Sequence, residues 1–351
     1  MPDVWLEGQF SAADVRATTA ALRAMQEPCG AIPWTTGEHT DIWNHVEAAM
    51  ALLIGGDRDA AERALLWVPT HQRSDGSWPM RIVADRVDDQ SGDTNMSAYL
   101  AVGLWHHWLS CGDLAFVNRL WPAVSAGLDW IATMQLAWGG ISWATDGATG
   151  VRHEDALLAG SSSIHHALRC GLALADLLGE SRPRWRSTGA QIAHAVVAHE
   201  DRFLDKATFS MDWYYPILGG VVQGAAAKAR LSARWDDFVV PGLGIRCVDT
   251  NPWVTGAETC ELALALDAVG ERESAVTLLL DMQHLRTPEG AYWTGYVWPD
   301  DVNWPVEHTT YTGAAVLLAV DALSNTTPGA GILRGDGLPT IDPSPAPGCG
   351  C

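Results

Sequence analysis

What the chain lacks narrows its class first. It has no run of about 18 or more apolar residues, the length a membrane-spanning helix needs. Basic residues are scarce: 22 Lys and Arg stand against 42 Asp and Glu, a formal net charge of −20. That balance argues against nucleic acid and anionic membrane surfaces as partners, and against a substrate with a diphosphate head. The N-terminal stretch, residues 1–10, carries Asp3 and Glu7 and has no basic flank or apolar core, so no secretory signal is read there. The seven cysteines (29, 111, 170, 247, 260, 349 and 351) are scattered and odd in number. They predict reduced thiols in a cytoplasmic protein, not a disulfide framework. Strand-like alternation is rare.

What is present is a repeat. Gln72-Arg-Ser-Asp-Gly-Ser-Trp78 has copies from Gln135 through Gly140 to Trp143 and from Gln283 through Gly290 to Tyr292 and Trp293. A looser copy runs from Gln26 through Gly30 to Trp34. In each, a helical segment ends at Gln, a Gly reverses the chain and an aromatic follows. A recurring unit of this kind is the mark of a repeat architecture.

Helical periodicity predicts twelve helices. They span Ser11–Gln26, Asp41–Ile54, Asp57–Gln72, Asp93–Cys111, Asp113–Gln135, Leu157–Leu178, Pro183–Glu200, Asp212–Gly224, Ala225–Phe238, Trp253–Val269, Glu271–Gln283 and Glu307–Ser324. Helices two, four, six, ten and twelve are apolar nearly all round and read as buried; the others carry charge on one face and read as covering helices. Short Gly-marked turns join partners, and long Trp-bearing loops join pairs. The pattern is an all-α (α/α)6 toroid over residues 1–325, its long loops gathered at one mouth, followed by a Pro- and Gly-rich tail, 326–351, ending Cys-Gly-Cys.

Two branches of the α/α-toroid superfamily are matched by particular residues. The Gln72–Trp78 repeat resembles those of squalene–hopene-type cyclases and protein prenyltransferase β subunits, and the chain is similar to actinobacterial proteins labelled prenyltransferase. Asp93-Thr-Asn-Met-Ser-Ala-Tyr99, Gly112-Asp113, Leu120-Trp121-Pro122 and Gly160-Ser-Ser-Ser163 resemble six-hairpin glycosidases of the glucoamylase type, over about residues 90–180.

The cyclase resemblance calls for an Asp-x-Asp-Asp-type motif. The nearest strings, Asp85-Arg-Val-Asp88-Asp89 and Pro299-Asp300-Asp301, have the wrong spacing. The prenyltransferase resemblance calls for zinc on Asp, Cys and His. Asp249 and His308 match, but Asn251 stands at the Cys position, with Cys247 on the other side of Asp249. No cofactor and no metal ligand is therefore assigned.

The glycosidase resemblance calls for two carboxylates, drawn from the loops before the third and sixth inner helices. Those loops hold Asp146, Glu154 and Asp155, then Asp300, Asp301 and Glu307. The expected catalytic set is Glu307, Glu154, Asp146 and Asp301, placed on opposite sides of the ring as an inverting mechanism would want. The family acid follows a Trp, whereas Ala144 follows Trp143 here. Trp143, Trp213, Tyr214, Trp253, Trp293, Tyr296 and Trp304 are the expected sugar-stacking faces, with Asp93, Asp212, Glu258 and His308 beside them. Asp41, Asp93 and Asp212 read first as acids favoured at helix N-termini, a reading that weighs equally with the catalytic one for Glu307 and Glu154. Glu47 and Glu258 point into the cavity or pair with a neighbour such as His45. His106-His107 and His165-His166 point apart on their helices and share no ion. The reading is a carbohydrate-acting enzyme, a glycoside hydrolase, on a small-molecule sugar or glycolipid. An isoprenoid-acting enzyme and a non-catalytic glycan- or lipid-binding toroid are the alternatives.

Overall fold

The computed structural model describes residues 3–6 and 8–351; the N-terminal signal reading therefore falls partly on residues outside those described, Met1, Pro2 and Glu7. Thirteen helices follow in order among the described residues. The first seven are α1 (Ala12–Met25), α2 (Ile42–Ile54), α3 (Arg58–Trp67), α4 (Thr94–Ala98), α5 (Leu100–Cys111), α6 (Leu114–Thr133) and α7 (Leu158–Leu177). The rest are α8 (Pro183–Ala198), α9 (Ser210–Leu218), α10 (Gly224–Phe238), α11 (Gly256–Ala268), α12 (Arg272–Asp281) and α13 (Thr310–Ser324). The helices α2, α4–α5, α7, α9, α11 and α13 pack side by side and close into a ring, each touching the next and α13 returning to α2. They are the helices buried almost all round, as their composition requires. The outer shell is α3, α6, α8, α10, α12 and α1. The sixth hairpin is thus completed by the N-terminal helix, which packs on α13.

The predicted helix 93–111 is two: α4 and α5 meet at Tyr99. The mouth also carries short strands that the sequence did not announce. β1 (Arg81–Val83) pairs with β2 (Arg86–Asp89), and β3 (Gly92–Asp93) with β4 (Ala144–Thr145). A five-stranded antiparallel sheet runs in chain order through β5 (Val239–Val240), β6 (Gly244–Arg246), β7 (Trp253–Thr255), β8 (Gly295–Val297) and β9 (Val302–Asn303).

The sequence repeat has a definite job. Gln72 Nε2 donates to Gly76 O and to Ala123 O, both at 2.9 Å. Gln135 does the same to Gly139 O (3.1 Å) and Thr188 O (3.2 Å), and Gln26 to Gly30 O (3.1 Å) and Ala60 O (3.0 Å). Each amide therefore closes its own loop and ties it to an outer helix. The glycines sit at left-handed φ because the loop presses on that helix. A Cβ on Gly76 would lie 2.2 Å from Ala126 O, and one on Gly139 2.7 Å from Gln191 O. The turn residue of the second full copy is thus Gly139, not Gly140. The last copy starts at Arg286, not Gln283: Thr287 N–H reaches Ala291 O as Leu136 N–H reaches Gly140 O. Arg286 holds α1 by an ion pair with Asp14 at 2.7 Å.

The tail runs back along the outside. Leu333 closes the cavity on the ring axis, Ile341 lies over Gly189 of α8, Ser344 N–H bonds Ala190 O and Gly348 N–H bonds Ala137 O. Among the described residues no helix is long and apolar enough to cross a membrane.

Candidate active site

All six inner helices start at the mouth, so side chains from their first turns converge there. The floor of this funnel is Trp43, on the first turn of α2. Its ring lies 5.9 Å from Tyr99, 6.0 Å from Tyr215 and 5.9 Å from Tyr311, which belong to three other inner helices. Beneath it two buried glutamates flank the axis. Glu47 Oε1 accepts from Trp43 Nε1 (3.0 Å) and Tyr99 OH (2.7 Å). Glu261 accepts from the hydroxyls of Tyr214, Tyr215 and Tyr311. Burial pushes Glu47 up to about 7, and burial together with the nearby Glu47 holds Glu261 well above the carboxylate range. These two are floor supports, not surface acids. His45 is not the partner of Glu47; it bridges Ile32 N–H and Ala64 O.

Carboxylates ring the funnel above the floor. Asp41 is the N-cap of α2, buried, with both oxygens on Asn44, and burial raises it. Asp93, the N-cap of α4, is pushed up to about 6 by burial first and by the charge of Asp41 second. The two acids are near enough for the charge of Asp41 to oppose ionisation of Asp93. The β3–β4 pair sets Asp93 opposite Ala144, beside Trp143. On the opposite side of the ring, three helices round, Glu258 opens α11 one turn above Glu261 and on the same inward face. It is half-buried beside Cys247, Tyr214 and Tyr311. Glu307 lies between these groups. Its Oε1 accepts from Trp34 Nε1 (2.9 Å) and Thr294 Oγ1 (3.2 Å), and this fixes Trp34 over Tyr311 at 5.7 Å.

The other predicted residues divide. Glu154 is 83% exposed, 3.8 Å from Arg152. It shares a solvent-open concavity with Asp146, Arg73 and Trp130 on the outer flank of α6, so the structure does not bring it to Glu307. Asp146 spends its Oδ1 on the turn to Thr149. Asp301 is exposed, at left-handed φ, and accepts from Tyr296 OH at 2.9 Å. Tyr214 is fully buried under Glu261, and Trp213 is stacked on Phe238 with its indole N–H on Arg230 O; neither offers a face to a sugar. Asp212, pushed up to about 6 by burial, accepts from Ala159 N–H near Arg230, beside a concavity outside the ring. Trp143 stacks on His153, and Trp293 lies 4.0 Å from His308 with the rings tilted; both tryptophans are half-buried. Trp253 and Trp304 form an edge-to-face pair 5.0 Å apart on the five-stranded sheet, with Trp304 53% exposed. Sequence reasoning missed Trp34, Trp43 and Tyr311, and it took Asp41 only as a cap. The signal available was position: Asp41, Trp43 and Tyr311 lie within a residue of an inner-helix start, and Trp34 is the aromatic of the first repeat copy. Asp249, the Asp of the zinc alternative, is paired with Arg234 at 2.7 Å. His107 Nε2 lies 2.9 Å from Glu62 Oε1, and His165 Nδ1 lies 2.9 Å from Gly219 O.

No protein-family model matches the chain. It is 51% identical over 332 residues to an MMP endo-(1,4)-3-O-methyl-α-D-mannosidase of Mycolicibacterium hassiacum, covering 95% of this chain and 92% of that one. The fold is similar to a glycosidase variant solved in complex with glucose (TM-score 0.70, 15% identity, 89% of this chain and 96% of that one). It is similar also to a GH63 mannosylglycerate hydrolase from Thermus thermophilus in complex with glucose (TM-score 0.63, 13% identity, 87% and 99%).

Proposed function

The chain belongs to the glycosidase family of the Mycolicibacterium endo-mannosidase, and from that membership we propose that it cleaves internal bonds of a (1,4)-linked α-mannose chain carrying 3-O-methyl groups. The observation that carries the reading is the funnel itself. An aromatic floor is faced by two carboxyls that burial raises, Asp41 and Asp93, on one side and by Glu258 on the other. The pair gives its proton to the glycosidic oxygen as the bond to the anomeric carbon breaks. Glu258 takes a proton from a water, whose oxygen joins that carbon from the opposite face. Helices on opposite sides of the ring favour the wider carboxylate spacing of inversion. Glu307 is a positioning residue, because its oxygen is already engaged in holding Trp34. Trp34, Trp43 and the Trp253–Trp304 rim suit sugars made less polar by methylation.

The test is hydrolysis of (1,4)-linked 3-O-methyl-mannose oligosaccharides, with product sizes and anomeric configuration followed. Glu258→Gln and either Asp93→Asn or Asp41→Asn should each cost about 10²–10⁴-fold in kcat, and Glu307→Gln much less, chiefly in KM. Full turnover by Glu258→Gln, or loss of turnover in Glu154→Gln, would sink the assignment.

A further inference from the structure

On the outer shell, the last residues of the tail meet the C-terminal end of α8. His194 lies in the last turns of that helix and His199 caps it; Cys349 and Cys351 come across from the tail. One ligand atom from each of the four lies within 4.8 Å of every other. His199 Nε2 is 2.8 Å from Cys349 Sγ, and His194 Nε2 is 3.4 Å from Cys349 Sγ and 3.3 Å from Cys351 Sγ. A tetrahedral zinc with bonds of about 2.3 Å to sulfur and 2.0–2.1 Å to nitrogen sets such atoms roughly 3.3–3.8 Å apart, which the two His194 contacts already match and the shorter His199 contact reaches by opening about 0.5 Å. Two imidazoles and two thiols so gathered match the donor set that selects zinc over magnesium or calcium.

The backbone around the cluster is built for this approach. Gly350, between the two cysteines, has φ +76, which lets both thiols of the short Cys-x-Cys turn face the same way. Gly348 lies so close to Ala137 that a Cβ would fall 2.8 Å from Ala137 O, and its N–H bonds that same carbonyl. Arg202 Nη1 donates to Cys349 O at 3.3 Å and its guanidinium stacks over Trp138, so the turn is held from a second side. The histidines are five residues apart, within the usual spacing for a structural site.

We propose that His194, His199, Cys349 and Cys351 bind one zinc ion, which fastens the tail to α8. Binding replaces the two thiol protons by two Zn–S bonds and releases those protons to solvent; both imidazoles bind as neutral ligands. The site is closed, with four protein ligands, so its role is structural. It is independent of the hydrolytic reading, because none of its residues lines the funnel.

The experiment uses the full chain, purified under reducing, metal-controlled conditions. Metal content is measured by mass spectrometry of the digested protein, and Co²⁺ is titrated into chelator-treated protein while its visible spectrum is followed. One equivalent of zinc per chain is expected, with intense tetrahedral Co²⁺ bands and a sulfur-to-metal charge-transfer band. The Cys349→Ser/Cys351→Ser variant should lose both and keep hydrolase activity. His194→Ala should bind metal at least tenfold more weakly and retain the charge-transfer band. Chelation should speed proteolytic cleavage within residues 342–351 of the wild type and leave the rate in the double variant unchanged. Wild type that takes up no more zinc or Co²⁺ than the double variant would overturn the proposal, as would six-coordinate Co²⁺ without charge transfer. A Cys349–Cys351 disulfide in anaerobically purified protein would overturn it too. The Co²⁺ spectrum of the wild type decides the matter even if a variant fails to fold.

Discussion

Replacing Glu47 by Gln should make the protein more stable above neutrality and leave it unchanged in acid. Glu47 is buried on the ring axis; Oε1 takes the Trp43 indole and Tyr99 hydroxyl protons, and Oε2 has no partner. Gln keeps the accepting oxygen and places an amide where the unpartnered oxygen lies, so the floor under Trp43 is preserved. Burial raises this acid from 4.5 to about 7. A raised carboxyl binds its proton more tightly in the folded state, so its contribution is fully present below pH 4.5. It is lost as pH rises through about 7. The gap, at about 1.4 kcal/mol per pH unit, comes to about 3 kcal/mol. At about 2.1 cal/mol/K per residue, the unfolding entropy of a chain this long makes that roughly 4 °C in Tm. Urea unfolding of wild type and Glu47→Gln at intervals from pH 4.5 to 8.5 reads the effect, because titrating groups away from the floor cancel in the difference and Glu261, its charged neighbour removed, shifts in the same direction. The two curves should coincide near pH 4.5 and separate to about 3 kcal/mol by pH 8. Curves that stay parallel would show that Glu47 is ionised at no such cost, and the account of the floor would fail. Glu47→Leu should behave differently: it orphans Trp43 Nε1 and Tyr99 OH, at about 1–3 kcal/mol each, at every pH.

Three further outcomes follow from the same geometry. The proposed acid is active while protonated and Asp93 is pushed up to about 6, so kcat/KM should fall as pH rises above about 6, measured on an oligosaccharide at fixed ionic strength. Gly139→Ala puts a Cβ 2.7 Å from Gln191 O at φ +108 and should cost about 1–3 kcal/mol by urea unfolding, with activity of the folded fraction intact. Trp304→Ala removes an exposed rim face; it should raise KM for long oligosaccharides roughly 5–30-fold and leave kcat alone, and an equal effect on the shortest cleavable substrate would count against a rim subsite.

The fold was legible because helices alternate in composition, and that alternation is what an inner ring and an outer ring demand. The repeat was legible as Gln and Gly, but its register was not. Gln283 resembles the other copies by residue type, whereas the structural equivalent is Arg286, which ties the loop by charge to Asp14 rather than by an amide to carbonyls. The five-stranded sheet left no trace, since strands of two or three residues cannot show a period of two. At the site, the loops holding Glu154 and Glu307 were identifiable, but loop composition says nothing of direction. Glu154 turns outward beside Arg152, and Glu307 inward under Trp34. The partners of Cys349 and Cys351 lie about 150 residues earlier on α8, beyond the reach of any local pattern.

Asp41 and Asp93 raise a sharper point, because cap and catalyst ask for the same residue in the same place. Six inner helices aim their N-termini at one mouth. Each end carries about +0.5 of an elementary charge, so the scaffold alone puts roughly +3 around the substrate. That field would oppose the cationic sugar of the transition state. Asp41, Asp93, Asp212, Glu258 and Glu307 lie at those ends and reverse its sign. An acidic mouth is therefore required of a toroid that works on glycosidic bonds, whichever carboxylates react. Burial is what separates the roles. Helix ends and cap bonds lower a carboxyl, yet Asp93 stands near 6, so desolvation wins there. A group that caps its helix and still keeps its proton up to about pH 6 can serve as an acid without leaving its place in the fold.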